Sequence, residues 1–222
     1  MTRKAASSTS DRVHLPLNMH IRYLYRNAPF PDGVLGESTQ DIIDLDESKF
    51  KIEDQNHRFG KVAREKLCDA SGKYINELDS IDLLMAISGD ERADQAFSFH
   101  RCYTEGNTDL WRFYSFIDDF CIWLAANHPG RQFLFTMDNL NLHKSPIVQN
   151  LIHMNGHQIV YRAPYWSCDG AIEYIFDTMQ TKLQMDPEGV DSIHGLVNKI
   201  NGIVGDLTSF KPYFLHFRFP DS

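Results

Sequence analysis

The first half of the chain alternates apolar and polar side chains over short segments, the pattern of strands with one buried face. Residues 41–50 alternate in this way, and residues 80–90 and 95–103 form two further segments joined by a short link. The period of two predicts strands, and the short link predicts that the last two form a hairpin. Residues 108–127 then carry apolar side chains at helical spacing, and Asp109 is placed to favour the start of that helix.

The second half alternates apolar segments with amphipathic helices. Residues 132–138 form an apolar run that ends in an acid, as expected for a strand covered on both faces. Residues 145–156 predict a helix that begins at a Ser-Pro step and ends at a glycine, and residues 157–164 predict the next strand. Residues 169–184 carry an apolar stripe at helical spacing, so we expect a helix capped by Asp169.

This order of elements predicts an α/β fold, a mixed sheet flanked by helices. We expect residues 41–47 to form the central strand, with residues 132–138 parallel on one side and residues 81–89 antiparallel on the other. The carboxyl ends of the two parallel strands then meet at one edge of the sheet. Binding sites in open α/β sheets form outside such an edge.

Three acids are placed to converge at that edge. Asp46 and Asp138 each end a predicted parallel strand, and Glu173 lies in the first turn of the last predicted helix, at the border of its apolar stripe. Each acid also has an ordinary structural explanation, because acids cap helices and complement helix dipoles. Asp44 lies on the same face as Asp46 and is an alternative for the first position.

Converging carboxylates repel one another unless a cation lies among them. Oxygen ligands favour hard cations, so Mg²⁺ or Mn²⁺ is the expected metal. Two such ions about 3.5–4 Å apart can hold the attacking and leaving oxygens of a phosphodiester displacement. Zinc at the pair His153 and His157 is a weaker alternative, because a glycine lies between them and no third ligand is evident. Cys168 as a nucleophile lacks recognisable partner residues.

Composition narrows the class of protein. The chain has 222 residues, 42% of them hydrophobic, which suits one domain with a sizeable core. Its formal net charge of −8 argues against a broad phosphate-binding surface, although residues 60–66 form a basic cluster. The four cysteines show no zinc-finger spacing, which favours reduced thiols in an intracellular protein, nuclear if the source is a eukaryote. No apolar run approaches the ~18 residues of a membrane span, so no membrane association is expected.

Four segments carry a resemblance to a known family. They are LDESKF at residues 45–50, TMDNLNLHKSPIVQNLI at 136–152, VYRAPYWSCDGAIEYIFDTMQTKL at 160–183, and YFLHFRF at 213–219. Together they resemble the catalytic domain of DDE transposases of the mariner superfamily. Asp138 and Glu173 enclose residues 139–172, a spacing of 34 that is typical of one main branch of that superfamily. The resemblance covers roughly residues 38–218.

The resemblance implies a ribonuclease-H-like fold and two-metal chemistry on DNA. Asp46 and Asp138 would share one Mg²⁺ or Mn²⁺ ion, and Glu173 would complete the site of the second. Asn139 and His143 match family positions that support the ligands or contact DNA. The family's reaction is cleavage at transposon ends followed by strand transfer into target DNA, and self-association is a further expectation.

The chain also departs from the family pattern. The motif Pro-Pro-Tyr-Ser-Pro-Asp-x-Asn-Pro-Ile-Glu is here APYWSCDGAIE, in which Ala163 replaces a proline, Trp166-Ser167 replaces a Ser-Pro step and Gly170-Ala171 replaces Asn-Pro. We expect a looser approach to Glu173, and displacements of order 1 Å matter in catalysis.

The front of the chain differs as well. Family members carry a paired helix-turn-helix region before the first acid, whereas we assign residues 1–37 to a disordered tail and a remnant connecting helix, followed by a catalytic domain at 38–222. Two functions therefore stay open. One is a metal-dependent DNA endonuclease or strand-transferase, truncated and weakly active or inactive. The other is a catalytically inactive remnant that acts as a protein-binding module.

Overall fold

The computed structural model describes residues 11–52, 80–90, 96–186 and 188–218. Its centre is a five-stranded sheet in the order β3-β2-β1-β4-β5. The strands are β1 (Ile42–Lys51), β2 (Ser80–Ser88), β3 (Ser98–Tyr103), β4 (Leu134–Met137) and β5 (Gln158–Tyr161).

The strand pairing confirms the predicted topology. β1 is central, antiparallel to β2 and parallel to β4, with Ile42 level with Leu134. β3 extends the sheet antiparallel to β2, and β5 extends it parallel to β4. The sheet is therefore mixed, with an antiparallel half followed by a parallel half, and helices cover both of its faces.

Six α-helices belong to the described residues. They are α1 (Pro16–Asn27), α2 (Leu110–Asn127), α3 (Pro146–Met154), α4 (Ala171–Met185), α5 (Ile193–Gly205) and α6 (Lys211–Arg218). Buried side chains of α2 and α3 pack on one face of the sheet, and those of α4, α5 and α6 pack on the other. The first of these two cores is rich in phenylalanine rings, including Phe113, Phe116, Phe120, Phe133 and Phe135.

Several helix ends follow the local sequence signals. The Asp109 carboxylate caps α2 by accepting from the Arg112 N–H. Pro146 occupies the first turn of α3, and Gly156 follows that helix with a φ of 81°, a left-handed conformation that glycine adopts at little cost. The predicted cap at Asp169 is wrong, because Gly170 is the N-cap of α4 and the Asp169 carboxylate binds arginines instead.

Helix α5 is an element that the sequence analysis did not assign. Ser192 caps it by accepting from the Gly195 N–H, and Leu196, Ile200 and Val204 form its buried stripe. Three glycines within its range weaken the helical signal, since glycine costs about 1 kcal/mol relative to alanine in a helix. Packing of the apolar stripe against the core outweighs that cost.

Some expectations fall outside the described residues, namely those for the basic cluster 60–66, the tail at 1–10 and Cys68. Within the described part, Cys102, Cys121 and Cys168 are free thiols. None of the helices in that part has the length and apolarity needed to cross a bilayer.

A buried histidine makes the stability of the fold depend on pH. His157 packs against the rings of Phe133 and Phe135, and its Nδ1 accepts from the Phe133 N–H at 3.3 Å. Burial lowers the pKa of His157 below its ordinary value of 6.5. The folded state therefore binds the proton less readily than the unfolded state. Stability from this group is complete above about pH 6.5 and is lost as the pH falls through the folded pKa.

We expect His157→Asn to reduce the loss of stability between pH 7.5 and pH 5.5. The asparagine Oδ1 can replace Nδ1 as acceptor but does not titrate. Urea unfolding of both proteins at the two pH values measures the difference. An equal loss in both proteins would contradict a titrating role for His157.

Candidate active site

The fold brings the three predicted acids to one edge of the sheet. β1 and β4 run parallel with Asp44 level with Thr136. Asp46 and Asp138 each lie two residues further along, close enough for Asp138 to raise the pKa of Asp46. Helix α4 begins beside the same edge, because the backbone N–H of Ile172 donates to Asp44 Oδ2 at 2.9 Å. Glu173, the next residue, therefore lies at this edge too. We call this end of the sheet, where the three acids lie, the acid edge.

An arginine that the sequence analysis did not consider lies within the acid edge. Arg162 follows β5 and is fully buried, with Nη1 3.2 Å from Asp44 Oδ1 and Nη2 bonded to Asp46 Oδ2. Asp44 also accepts from the Thr136 hydroxyl at 2.7 Å. With the Ile172 N–H, both of its oxygens are occupied. Asp44 thus joins β1, β4, the end of β5 and the start of α4, which is a structural role rather than that of an open ligand.

Asp46 is nearly enclosed by protein. Its Oδ1 accepts from the Glu47 N–H at 2.9 Å, while its Oδ2 binds Arg162. Burial raises the pKa of Asp46, Arg162 opposes that rise, and the neighbouring Asp138 and Glu47 add to it. The same carboxylates act on Arg162: burial would lower its pKa, but Asp44 and Asp46 outweigh burial and hold the guanidinium charged.

His143 links two other acids across the end of the sheet. Its Nε2 lies 2.9 Å from Glu47 Oε2, and its Nδ1 lies 2.6 Å from Asp138 Oδ1 without the alignment of a full hydrogen bond. The ring is fully buried against Phe113. Burial lowers the pKa of His143, but the two carboxylates outweigh burial and raise it to about 9. Burial alone would raise the pKa of Asp138. His143, the Leu140 N–H and Arg162 together outweigh burial and lower it.

Glu173 differs from the other acids because no hydrogen bond or ion pair to its carboxylate is formed within the described residues. It is half-buried. Burial raises the pKa of Glu173, Arg162 lowers it, and Asp44 and Asp138 raise it, so these charged groups act on one another. A partly buried carboxylate without a partner is an unfavourable arrangement that a bound cation would relieve.

A cleft of about 380 Å³ opens beside the acid edge. Its lining residues are Asp138, Asn139, Leu140, Arg162, Ala163, Pro164, Tyr165 and Trp166. The side-chain oxygen of Asn139 and the indole N–H of Trp166 are buried without hydrogen-bond partners in the described structure. The cleft therefore combines Asp138 and Arg162 with residues that carry unsatisfied polar groups, and it has room for a polar ligand.

The N-terminal helix α1 holds the loop that leads to Glu173. Arg22 Nε lies 2.7 Å from Asp169 Oδ2, and Arg26 Nη2 lies 2.6 Å from Asp169 Oδ1. The Arg22 guanidinium also lies 3.5 Å from the ring centroid of Trp166. Tyr165 has a φ of 66°, a strained conformation for a residue other than glycine. These contacts fix a loop that lacks prolines found in the mariner motif that the sequence resembles.

The metal-binding potential of the edge involves a set of groups different from the predicted triad. Among the described residues, ligand atoms of Asp46, Glu47 and His143 lie within 4.8 Å of one another. That set does not include His153 and His157. Neither Glu47 nor Arg162 was selected from the sequence. The sequence signal for Glu47 was its place in the motif LDESKF, and the signal for Arg162 was its position directly after an apolar strand. Cys168 is exposed as a residue, but protein atoms around its thiol and the nearby Asp169 carboxylate raise the thiol pKa, which disfavours a thiolate nucleophile.

Comparison with solved structures identifies the architecture. A paired-end complex of Mos1 transposase with the left transposon end matches with a TM-score of 0.71 and 12% identity, over 98% of this chain and 62% of that chain. The chain has the fold of the Mos1 transposase catalytic domain. The isolated Mos1 catalytic domain matches with a TM-score of 0.58 and 13% identity, over 81% of this chain and 76% of that one. A Mos1 catalytic domain with raltegravir and Mn matches with a TM-score of 0.61 and 12% identity, over 82% and 80%.

These matches confirm the ribonuclease-H-like fold that the resemblance to mariner transposases implies. The chain spans 62% of the length of the Mos1 chain in the paired-end complex. No protein-family model matches the sequence, and comparison with curated protein sequences finds no match. At this level of identity the likeness to Mos1 establishes the architecture. The acid edge must support any statement about chemistry.

Proposed function

We propose that the chain is a metal-dependent DNA endonuclease and strand-transferase domain of the mariner transposase type. The observation that carries this proposal is that Asp46, Asp138 and Glu173 lie near one another at the carboxyl edge of parallel strands, beside a cleft that Asp138 lines. Glu173 has no hydrogen-bond or ion-pair partner among the described residues, which fits a site completed by a cation. The likeness to structures of Mos1 with Mn, with Mg and with a transposon end supports the same substrate class.

In this proposal Asp138 and Glu173 are the accessible metal ligands, and Asp46 borders them on the central strand. A bound Mg²⁺ or Mn²⁺ ion would supply charge stabilisation for phosphodiester cleavage. His143 holds Asp138 in place and keeps its pKa low, so that the carboxylate is ionised at neutral pH. Asn139 lines the cleft, and its side-chain oxygen is buried without a hydrogen-bond partner among the described residues, which fits a residue that supports the ligand Asp138 or contacts DNA.

A second candidate is a catalytically inactive remnant that acts as a protein-binding module. Arg162 favours it, because this arginine already neutralises Asp44 and Asp46 within the acid edge. The formal net charge of −8 also limits the affinity of the chain for DNA. The two candidates differ in whether the acids support cleavage at all.

A nicking assay separates them. We expect weak, sequence-independent nicking of supercoiled plasmid in Mn²⁺ at low salt, suppressed by added salt because the remaining DNA contacts are electrostatic. Glu173→Gln should reduce the rate on the order of 100-fold or more, as expected when a ligand of the cation that stabilises the transition state is weakened. Glu188→Gln, at an exposed glutamate, is the matched control and should nick at the wild-type rate. Equal nicking by all three proteins, or none by wild type, would favour the inactive remnant.

A further inference from the structure

Arg162 is the most unusual group in the acid edge. It is among the largest fully buried side chains of the described residues, and it lies between Asp44 and Asp46 of the central strand. Burying a guanidinium is costly unless opposite charges and hydrogen bonds compensate. Here Asp44 and Asp46 supply both. Arg162 therefore places a permanent positive charge beside Asp44 and Asp46 of β1.

The surrounding chain is shaped to admit this guanidinium. A Cβ added at Gly170 would overlap Arg162 Nη1 and crowd the rest of the guanidinium group. Gly170 is the residue that stands, with Ala171, in place of the Asn-Pro step of the family motif. The absence of a side chain at this position is thus matched to an arginine eight residues earlier in the last strand-to-helix connection. This pairing indicates that the position of Arg162 is specified by the sequence.

The arginine leaves few oxygens free for metal ions. Both oxygens of Asp44 and both of Asp46 already accept hydrogen bonds from protein donors. Asp138 uses Oδ1 for His143 and for the Leu140 N–H at 3.1 Å, and Glu173 makes no such bond within the described residues. Of the three predicted acids, only Asp138 and Glu173 therefore keep carboxylate oxygens that accept no hydrogen bond from the described residues.

We propose that Arg162 takes the place of one of the two cations, so that this chain binds a single divalent ion at Asp138 and Glu173. This inference rests on the proposed function, because it assumes that the acid edge is a metal site. It differs from that function in predicting the number of ions and the unequal importance of the three acids. A merely structural role for Arg162 would leave the number of ions unaffected by its replacement.

Counting bound Mn²⁺ tests the inference directly. Isothermal titration and the electron paramagnetic resonance of free Mn²⁺ should give one equivalent for wild type and two for Arg162→Gln, with Arg162→Lys remaining at one because its charge is kept. Circular dichroism establishes that each variant is folded. Two equivalents in wild type, or one in a folded Arg162→Gln, would overturn the inference while leaving the proposed function intact. If neither wild type nor Arg162→Gln bound Mn²⁺, the proposed function itself would be wrong.

A second comparison keeps the test valid if Arg162→Gln does not fold. Asp138→Asn should abolish Mn²⁺ binding, whereas Asp46→Asn should change the dissociation constant by no more than about threefold, less than 1 kcal/mol, because Asp46 is already bonded to Arg162. Loss of binding in both variants would show that Asp46 is an essential ligand and would overturn the assignment of its charge to Arg162.

Discussion

Replacing Asp44 with asparagine should destabilise the protein by about 3–5 kcal/mol, the cost of removing one partner from a buried ion pair. Arg162 would lose the carboxylate that lies 3.2 Å from its Nη1. It would remain fully buried and would keep only one of its two ion pairs, the one with Asp46. The Ile172 N–H would also lose a charged acceptor at the start of α4. Urea unfolding followed by circular dichroism gives the change in unfolding free energy.

Asp32→Asn is the matched control, because Asp32 is exposed. It should change the free energy of unfolding by less than about 0.5 kcal/mol. If Asp44→Asn behaved like the control, the network that joins β1 to the start of α4 would have little energetic importance. The structural role assigned to Asp44 would then be wrong, and Asp44 would return as an alternative first acid.

Replacing Gly170 with alanine should cost about 3 kcal/mol, at the upper end of the range for overpacking a buried site. The backbone at Gly170 has a φ of −99° and a ψ of 129°, which alanine adopts without strain, so the effect isolates the clash with Arg162. The guanidinium cannot easily move away, because two acids hold it. Thermal or urea unfolding of the variant measures the loss.

Two controls separate this clash from a general effect of alanine. Gly202→Ala lies in α5 with open space around the added methyl group, and it should stabilise the protein by about 0.5–1 kcal/mol. In an Arg162→Gln background, Gly170→Ala should cost less than about 1 kcal/mol, since the two substitutions share one space. An undiminished cost in that background would mean that Gly170 is required for another reason.

The sheet could be predicted because its strands carry local signals. Alternation along residues 41–50 and the apolar run at 132–138 each predicted a strand. The expectation of one buried face is wrong for β1, because Asp44 and Asp46 are buried as well and bind Arg162. The parallel register then places Asp46 near Asp138 as a geometric consequence. The convergence of the acids therefore follows from strand order, which the sequence pattern reports well.

The ion pairs in and near the site could not be predicted in the same way. Arg162 and Asp169 acquire their partners only through contacts distant in sequence, with Asp44 in one case and with Arg22 and Arg26 in the other. A period of two or 3.6 residues carries no information about such pairs. Asp169 satisfied the local rule for a helix cap, but two arginines from α1 provided stronger partners than a helix N–H.

The contact between α1 and Asp169 makes the geometry at Glu173 sensitive to a segment that lies far from it along the chain. The predicted boundary between residues 37 and 38 separates α1 from the carboxylate that it neutralises. A shortened protein that begins at residue 38 would leave Asp169 without its two arginines and Trp166 without the guanidinium above its ring. The loop before Glu173 would then relax toward solvent. Any ligand or chemical change that moves α1 away from Asp169 would act in the same way and would alter the orientation of the Glu173 carboxylate from a distance.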